Sequence, residues 1–250
     1  MQLSPSLFKD IKNFLLDLVF PRHCLGCGLL IGAKSGSLVC VACFGKISLN
    51  PGIQCHVCGL RNPEGTCRKC RPKTALRGIY SAGFYHDPVL REMIHHFKYN
   101  SIESLQEPLA ELLIAYIKKE RLADKLKNSI LVPVPLALRR KISRGFNQSE
   151  LLALKISGYL NLPVVNLLKR KKAAAPQAQI AGWQKRKENI AGAFCLKSDF
   201  GEILKSDFAE IKKVFLIDDV STSGATLEEA AKVLKEAGVE EIYGLVIAKG

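Results

Sequence analysis

The sequence predicts an α/β fold, a mostly parallel sheet covered by helices on both faces, with a small N-terminal cysteine-rich module in front of it. Three observations carry that expectation. Short, fully apolar runs alternate with helical segments from Pro72 onward. Eight of the nine cysteines fall within the first seventy residues, as four C-x-x-C pairs. Finally, VFLIDDVSTSGAT (214–226) runs an apolar strand into two aspartates and a tract of small residues, at the kind of sheet edge where open α/β folds bind ligands.

Taken in order, Leu7, Phe8, Ile11, Phe14, Leu15, Leu18 and Val19 recur at helical spacing. Ser4 and Pro5 suit the N-cap and first turn, and Phe20-Pro21 is the stop, so 1–20 reads as an amphipathic helix. Its apolar stripe needs a cover: the chain's own domains, a protein partner or a membrane surface. Lys9, Asp10, Lys12 and Asp17 interrupt it, and no stretch approaches the ~20 apolar residues of a membrane span.

Residues 21–74 read as a double zinc ribbon. Cys24, Cys27, Cys40 and Cys43 form one set and Cys55, Cys58, Cys67 and Cys70 a second, an internal repeat of about thirty residues. Two thiolates at C-x-x-C spacing grip one metal from a tight turn, and a second pair closes a structural tetrahedral site. Gly28 and Gly59 follow the first pair of each set and permit the left-handed backbone such a turn needs. Sequential pairing is the simpler assignment; a crossed one is open. With both sets complete, His23 and His56 are expected to make ordinary surface contacts. Disulfides would need an oxidising compartment, and the absence of an export signal points instead to a cytoplasmic chain with reduced, metal-holding cysteines.

Residues 75–250 read as the α/β domain. Strands are expected at 76–86 (one long strand or a pair), 129–135, 163–168, 190–197, 214–217 and 241–249. Helices are expected at 89–100, 104–126, 146–160 and 225–238. Lone Cys195 falls in a strand and reads as a core residue. Adjacent His95 and His96 on a helix point apart, a poor metal pair. The segment 169–190, basic and rich in Gln and Ala, reads as a long mobile stretch.

The formal charge is +14, and two four-thiolate zinc sites would lower it to about +10. Residues 128–190 hold twelve Lys and Arg against only Glu150 and Glu188. That imbalance favours polyanionic partners. No Ser-His-Asp or Cys-His set suggests other chemistry, and neither a Walker A loop nor G-x-G-x-x-G is present.

In VFLIDDVSTSGAT, Ser221, Thr222, Ser223 and Gly224 leave room for an anion at the N-terminus of the following helix. Asp218 and Asp219 suit hydroxyls or a hydrated metal beside that anion, since like charges repel. The stretch resembles the 5-phosphoribosyl-1-pyrophosphate (PRPP) motif of type I phosphoribosyltransferases. That resemblance implies that Asp218 and Asp219 hold the ribose hydroxyls, while Ser221, Thr222, Ser223, Gly224, Ala225 and Thr226 wrap the 5′-phosphate. With the four C-x-x-C pairs, LVPVP (131–135), RGFNQ (144–148) and Pro176-Gln177…Arg186…Asn189, the whole chain resembles the ComF family; Ser223 stands where a Thr is more often found.

The family resemblance implies further roles. Leu136, Ala137, Leu138, Arg139 and Arg140 would form the pyrophosphate loop, and Mg2+ would accompany PRPP. The segment 169–189 would correspond to the flexible loop, with Arg186 and Lys171 or Lys172 stabilising charge. The zinc module and residues 76–126 would stand where a hood selects the acceptor. Two functions follow: a PRPP-binding protein that grips single-stranded DNA during natural transformation, with a competence-machinery partner, or an active transferase with an unidentified acceptor. For the first, Arg139, Arg140, Lys141, Arg144, Lys169 and Arg170 would contact the strand and Trp183 would stack on its bases; Phe146 also falls within the basic region, and Phe97 and Tyr99 are expected close to it.

Overall fold

The computed structural model describes residues 21–32, 37–171, 190–198 and 212–250; the expected helix at 4–20, and Lys172, Trp183 and Arg186, lie outside them. The cysteine module has little regular structure. It contains one helical turn, α1 (Val41–Phe44), a two-residue strand, β1 (Ile53–Gln54), and a 3-10 turn at Arg71–Lys73. Its repeat is visible in the backbone. The Gly28 N–H donates to Cys24 O and the Gly59 N–H to Cys55 O, both at 2.9 Å. Both glycines are left-handed, with φ of 71° and 73°.

The α/β layer follows as β2 (Ile79–Phe84), α2 (Pro88–Tyr99), α3 (Gln106–Lys119), α4 (Ala123–Leu126), β3 (Ser129–Pro133), α5 (Leu138–Arg144) and α6 (Gln148–Leu160). It continues with β4 (Leu168–Arg170), β5 (Phe194–Leu196), β6 (Lys213–Ser221), α7 (Ala225–Glu236) and β7 (Glu241–Lys249). The main sheet runs β1-β2-β7-β6-β3. Strands β2, β7, β6 and β3 are parallel, with β1 antiparallel at one edge. Strands β4 and β5 form a separate antiparallel pair.

Strand parity divides the core as expected for a sheet covered on both faces. Phe215 and Ile217 face a cluster with Leu90, Phe97, Leu113, Tyr116, Leu152 and Ile156 of α2, α3 and α6. Val214 and Leu216 face Leu227, Ala230, Ala231 and Leu234 of α7, together with Leu168 and Phe194. Because β6 is flanked by β7 and β3, its carboxyl end opens at the middle of the sheet edge.

Several elements differ from the sequence expectation. The single helix expected over 104–126 breaks at Arg121, whose φ of 52° is left-handed, leaving α3 and α4 apart. The strand expected at 163–168 is reduced to one parallel bridge, Leu131 to Val164, because Leu168 turns away to pair with Leu196. Residues 138–140, expected in a turn, begin α5. Strand β6 continues through both aspartates to Ser221, where β7 supplies pairing for the longer strand. Residues 76–126, expected to stand in a hood, instead supply a core strand and the helices over it, so they are part of the scaffold.

Candidate functional site

The carboxyl end of β6 opens into a cavity of about 380 Å3. Asp218 and Asp219 lie on its floor as part of the strand itself. Asp219 is buried, at 6% exposure, and its carboxylate meets Lys98 Nζ of α2 at 2.8 Å. Burial alone would push the Lys98 ammonium down, but the Asp219 and Asp218 carboxylates overcome it and hold its pKa above the ordinary lysine value. Asp218 accepts a hydrogen bond from Ser149 Oγ at 3.0 Å and from the Asp219 N–H at 2.9 Å. Burial first, and then the neighbouring Asp219 charge, push its carboxyl up to about 7.

The tract after the dyad is shaped as an open cradle. Gly224 caps α7 in the left-handed conformation and provides no side-chain cap, and Ala225, Thr226 and Leu227 of the first turn line the cavity, whereas Glu228, the acidic residue of that turn, does not. Ser223 Oγ accepts the Ala225 N–H at 3.4 Å. Ser221 Oγ is buried without a hydrogen-bond partner among the described residues, an orphan donor at the entrance of the tract.

Segment RGFNQ supplies Arg144 to the cavity and packs its other residues behind it, each with a visible task. Arg144 lines the cavity, and its Nη1 donates to Gln148 Oε1 at 3.1 Å. Gly145 ends α5 at φ 80°. Phe146 lies against Phe97, with ring centroids 5.5 Å apart. Asn147 caps α6 and donates from Nδ2 to Val134 O at 3.2 Å, and Gln148 Nε2 donates to Phe97 O at 3.2 Å. Ser149 then touches Asp218.

Of the expected pyrophosphate-loop residues, Leu136 and Arg140 line the cavity, whereas Ala137, Leu138 and Arg139 do not. Arg140, Arg144 and Arg170 converge on it. Burial and then mutual repulsion lower the pKa of Arg140 and Arg170, Arg144 acting on the former and Arg140 on the latter. Arg139, Lys141, Lys169 and Lys171 are exposed and lie outside the cavity. Tyr99 is 58% exposed at the rim with Arg144 over its ring at 5.3 Å, while Phe97 is fully buried and unavailable for stacking.

Two features escaped the sequence reading. Lys98 sits in the last turn of α2, where a lysine ordinarily complements the helix dipole, and nothing local marks its partner 121 positions away in sequence. His56 is buried at 4%, not a surface contact, and its Nε2 lies 3.1 Å from Glu228 Oε2. Elsewhere, Cys195 is partly exposed, and the ligand atoms of Glu92, His95 and His96 lie within 4.8 Å of one another although the two imidazoles are adjacent in sequence.

The cysteines assemble sequentially. The Sγ atoms of Cys24, Cys27, Cys40 and Cys43 lie within 4.8 Å of one another, and so do those of Cys55, Cys58, Cys67 and Cys70. Gly26 and Cys40 N–H groups point at Cys24 Sγ at 3.4 and 3.3 Å. Four thiols per set with amide donors to sulfur fit a structural zinc ion in each.

Comparison with known proteins agrees with this geometry. Residues 15–72 match the double zinc ribbon domain and residues 110–249 the phosphoribosyl transferase domain. The class is therefore a phosphoribosyltransferase-fold protein with an N-terminal double zinc ribbon. The chain is 32% identical over 237 residues to Competence protein F of Haemophilus influenzae, covering 92% of this chain and 98% of that one. It is 29% identical over 215 residues to Competence protein ComFC of Bacillus subtilis, covering 82% and 81%. It is 27% identical over 230 residues to the DNA utilization protein YhgH of Salmonella typhimurium, covering 90% and 96%. The chain belongs to the ComF family. Among its described residues no helix is long and apolar enough to cross a membrane.

The raised Asp218 pKa has a stability consequence. Between the ordinary aspartate value of 3.8 and about 7 the folded chain holds more protons at this position than the unfolded chain, so stability falls as pH rises through that window. Asp218→Asn removes that cost. It is expected to raise Tm at pH 8 by about 3–6 °C, on the scale of ~1–2 kcal/mol, with the gain shrinking toward pH 5. Thermal melts of both proteins across pH 5–8 check this; a Tm lowered at pH 8 contradicts it.

Proposed function

We propose that this ComF-family chain binds PRPP or a related phosphoribosyl ligand and acts in the uptake of single-stranded DNA during natural transformation. The observation that carries the ligand class is the joining, in one cavity, of an acidic dyad and an uncapped helix end. Asp218 and Asp219 suit the ribose hydroxyls. The tract Ser221 to Thr226, with its orphan Ser221 hydroxyl, suits the 5′-phosphate. Leu136 and Arg140 lie where the pyrophosphate would extend, and Arg144 and Arg170 would offset its charge. Among the described residues no third carboxylate lines the cavity, so Mg2+ fits as an ion carried in by the diphosphate. Its contribution there is charge neutralisation.

The names Competence protein F, ComFC and DNA utilization protein, carried by relatives over most of the chain, support the DNA role. So does the basic rim. Arg140, Arg144 and Arg170 would hold backbone phosphates close to the cavity, and the exposed Arg139, Lys141 and Lys169 would extend the track. Tyr99 offers an exposed ring beside Arg144 for a base.

A second reading, an active transferase with an unidentified acceptor, is favoured by one observation. Arg170 stands in the cavity at the end of β4, and Lys171, Lys172 and Arg186 follow it in the sequence. Those three residues would then stabilise charge as pyrophosphate leaves. Release of pyrophosphate from PRPP and Mg2+ by the wild type with any of a panel of acceptors would establish it; no release across the panel restricts the site to binding.

For the ligand, titration calorimetry with PRPP and Mg2+ should show binding by the wild type and none by Asp218→Asn with Asp219→Asn, the double variant remaining folded. Undiminished affinity in that variant refutes the site. For DNA, the logarithm of single-strand affinity should fall steeply with the logarithm of salt. Replacing Arg140, Arg144 and Arg170 with Ala should reduce that slope by about 2, from ~0.7 per phosphate contact. An unchanged slope removes the rim from the DNA surface.

A further inference from the structure

The second ribbon and the phosphate tract meet at one point. His56 sits inside the knuckle between Cys55 and Cys58. A methyl group on Gly224 would lie 2.9 Å from His56 Cβ, and Gly224 has a φ of +75°, so the loop backbone is pressed directly against the knuckle in a conformation few other residues adopt. From the same side, His56 Nε2 lies 3.1 Å from Glu228 Oε2, in the first turn of α7. The two Glu228 oxygens also accept the Ala75 N–H at 2.9 Å and the Leu76 N–H at 3.1 Å, the chain leaving the ribbon. Thr66 of the ribbon completes the set, donating from Oγ1 to Leu76 O at 2.9 Å.

Around this contact the two units are not in solid apposition. A cavity of about 280 Å3 separates Lys69, Cys70 and Lys73 of the ribbon from Ser223, Ala225 and Lys232. Strand β1 ties the ribbon to the sheet through β2, and at the tract itself the contact is made by His56 with Gly224 and Glu228. The opposite side of the tract is held by the sheet: Lys249 Nζ donates to Thr222 O at 2.5 Å and the Gly250 N–H to Ser221 O at 3.0 Å. Residues 221–228 are gripped from both sides, one grip being the zinc knuckle. Among the described residues the first ribbon has no such contact: Gly26 lies against Val89 at the start of α2, and the described residues of 21–50 line neither cavity.

We infer that His56 and Glu228 are positioning residues that make the second zinc ribbon part of the phosphate site, so that metal occupancy at Cys55, Cys58, Cys67 and Cys70 and the conformation of residues 221–228 are one coupled equilibrium. The first ribbon, at Cys24, Cys27, Cys40 and Cys43, stands outside that coupling. For its ligand arm the inference rests on the phosphoribosyl reading; its conformational arm does not. Coupling of this kind is reciprocal, so a ligand that orders the tract also retains the metal of the second ribbon.

Hydrogen–deuterium exchange of peptides covering 221–228 tests it on the full chain, with zinc content measured for each protein. In His56→Ala, which keeps all eight cysteines, exchange there should quicken at least tenfold with two zinc ions retained. His56→Gln, which keeps a donor toward Glu228, should recover part of the protection. Cys67→Ser with Cys70→Ser should quicken exchange at the same peptides, and Cys40→Ser with Cys43→Ser should not. Unchanged exchange in His56→Ala overturns the inference, as does equal loss of protection in both cysteine variants. In calorimetry with PRPP and Mg2+, His56→Ala should weaken binding about tenfold; unaltered affinity beside normal wild-type binding counts against it. A wild type that takes up no PRPP defeats the phosphoribosyl reading, and exchange alone then decides the coupling.

Discussion

Everything around the site answers one electrostatic demand: two adjacent carboxylates lie within the last residues of an interior strand, in a largely desolvated place. Successive strand residues point to opposite faces. Asp219 shares its parity with Phe215 and Ile217, over which α2 and α6 lie, and this is why a lysine at the end of α2 reaches it. Asp218 shares its parity with Leu216, on the side of β4, and Arg170 adds positive potential there. One cation cannot fully neutralise both acids, and Asp218 holds its proton far above the usual range. Such a pair makes sense only beside space for hydroxyls or a cation, which gives the cavity its chemical character.

The family-level architecture was legible because it is written in local patterns. The four C-x-x-C pairs assemble sequentially, and the final strand at 241–249 has the bounds its apolar run predicts. Strand β6 was underestimated because aspartates weigh against strand propensity, yet pairing to β7 carries it through to Ser221. The turn at 136–140 is shorter than its sequence suggests because α5 begins at Leu138, a helix with no buried residue and therefore without an apolar stripe to announce it.

What sequence reasoning could not reach were partnerships across long separations. Lys98 with Asp219 and His56 with Glu228 each join residues with no common local motif. A histidine between two metal-binding cysteines has an obvious local explanation, as a spare ligand or a surface residue, and that explanation conceals a tertiary one. The signal that would have helped is glycine: Gly224 occupies a position with no room for a methyl group, although in sequence it reads simply as part of a small-residue loop.

The β4–β5 pair has a consequence for how this chain tolerates change. Arg170 is the register partner of Phe194, and the Lys171 N–H still donates to Ala193 O at 2.8 Å, so the end of β4 and the start of β5 are held one strand spacing apart. The closure is made by the ladder, whatever length of polypeptide lies between. For a flexible loop each doubling of length adds only about 0.6 kcal/mol of closure entropy. Insertions and deletions between these strands are therefore cheap for the fold, while Arg170, anchored over Phe194 at 5.3 Å, keeps its station at the cavity. Sequence drift between the two strands can proceed without disturbing the guanidinium that the ladder holds.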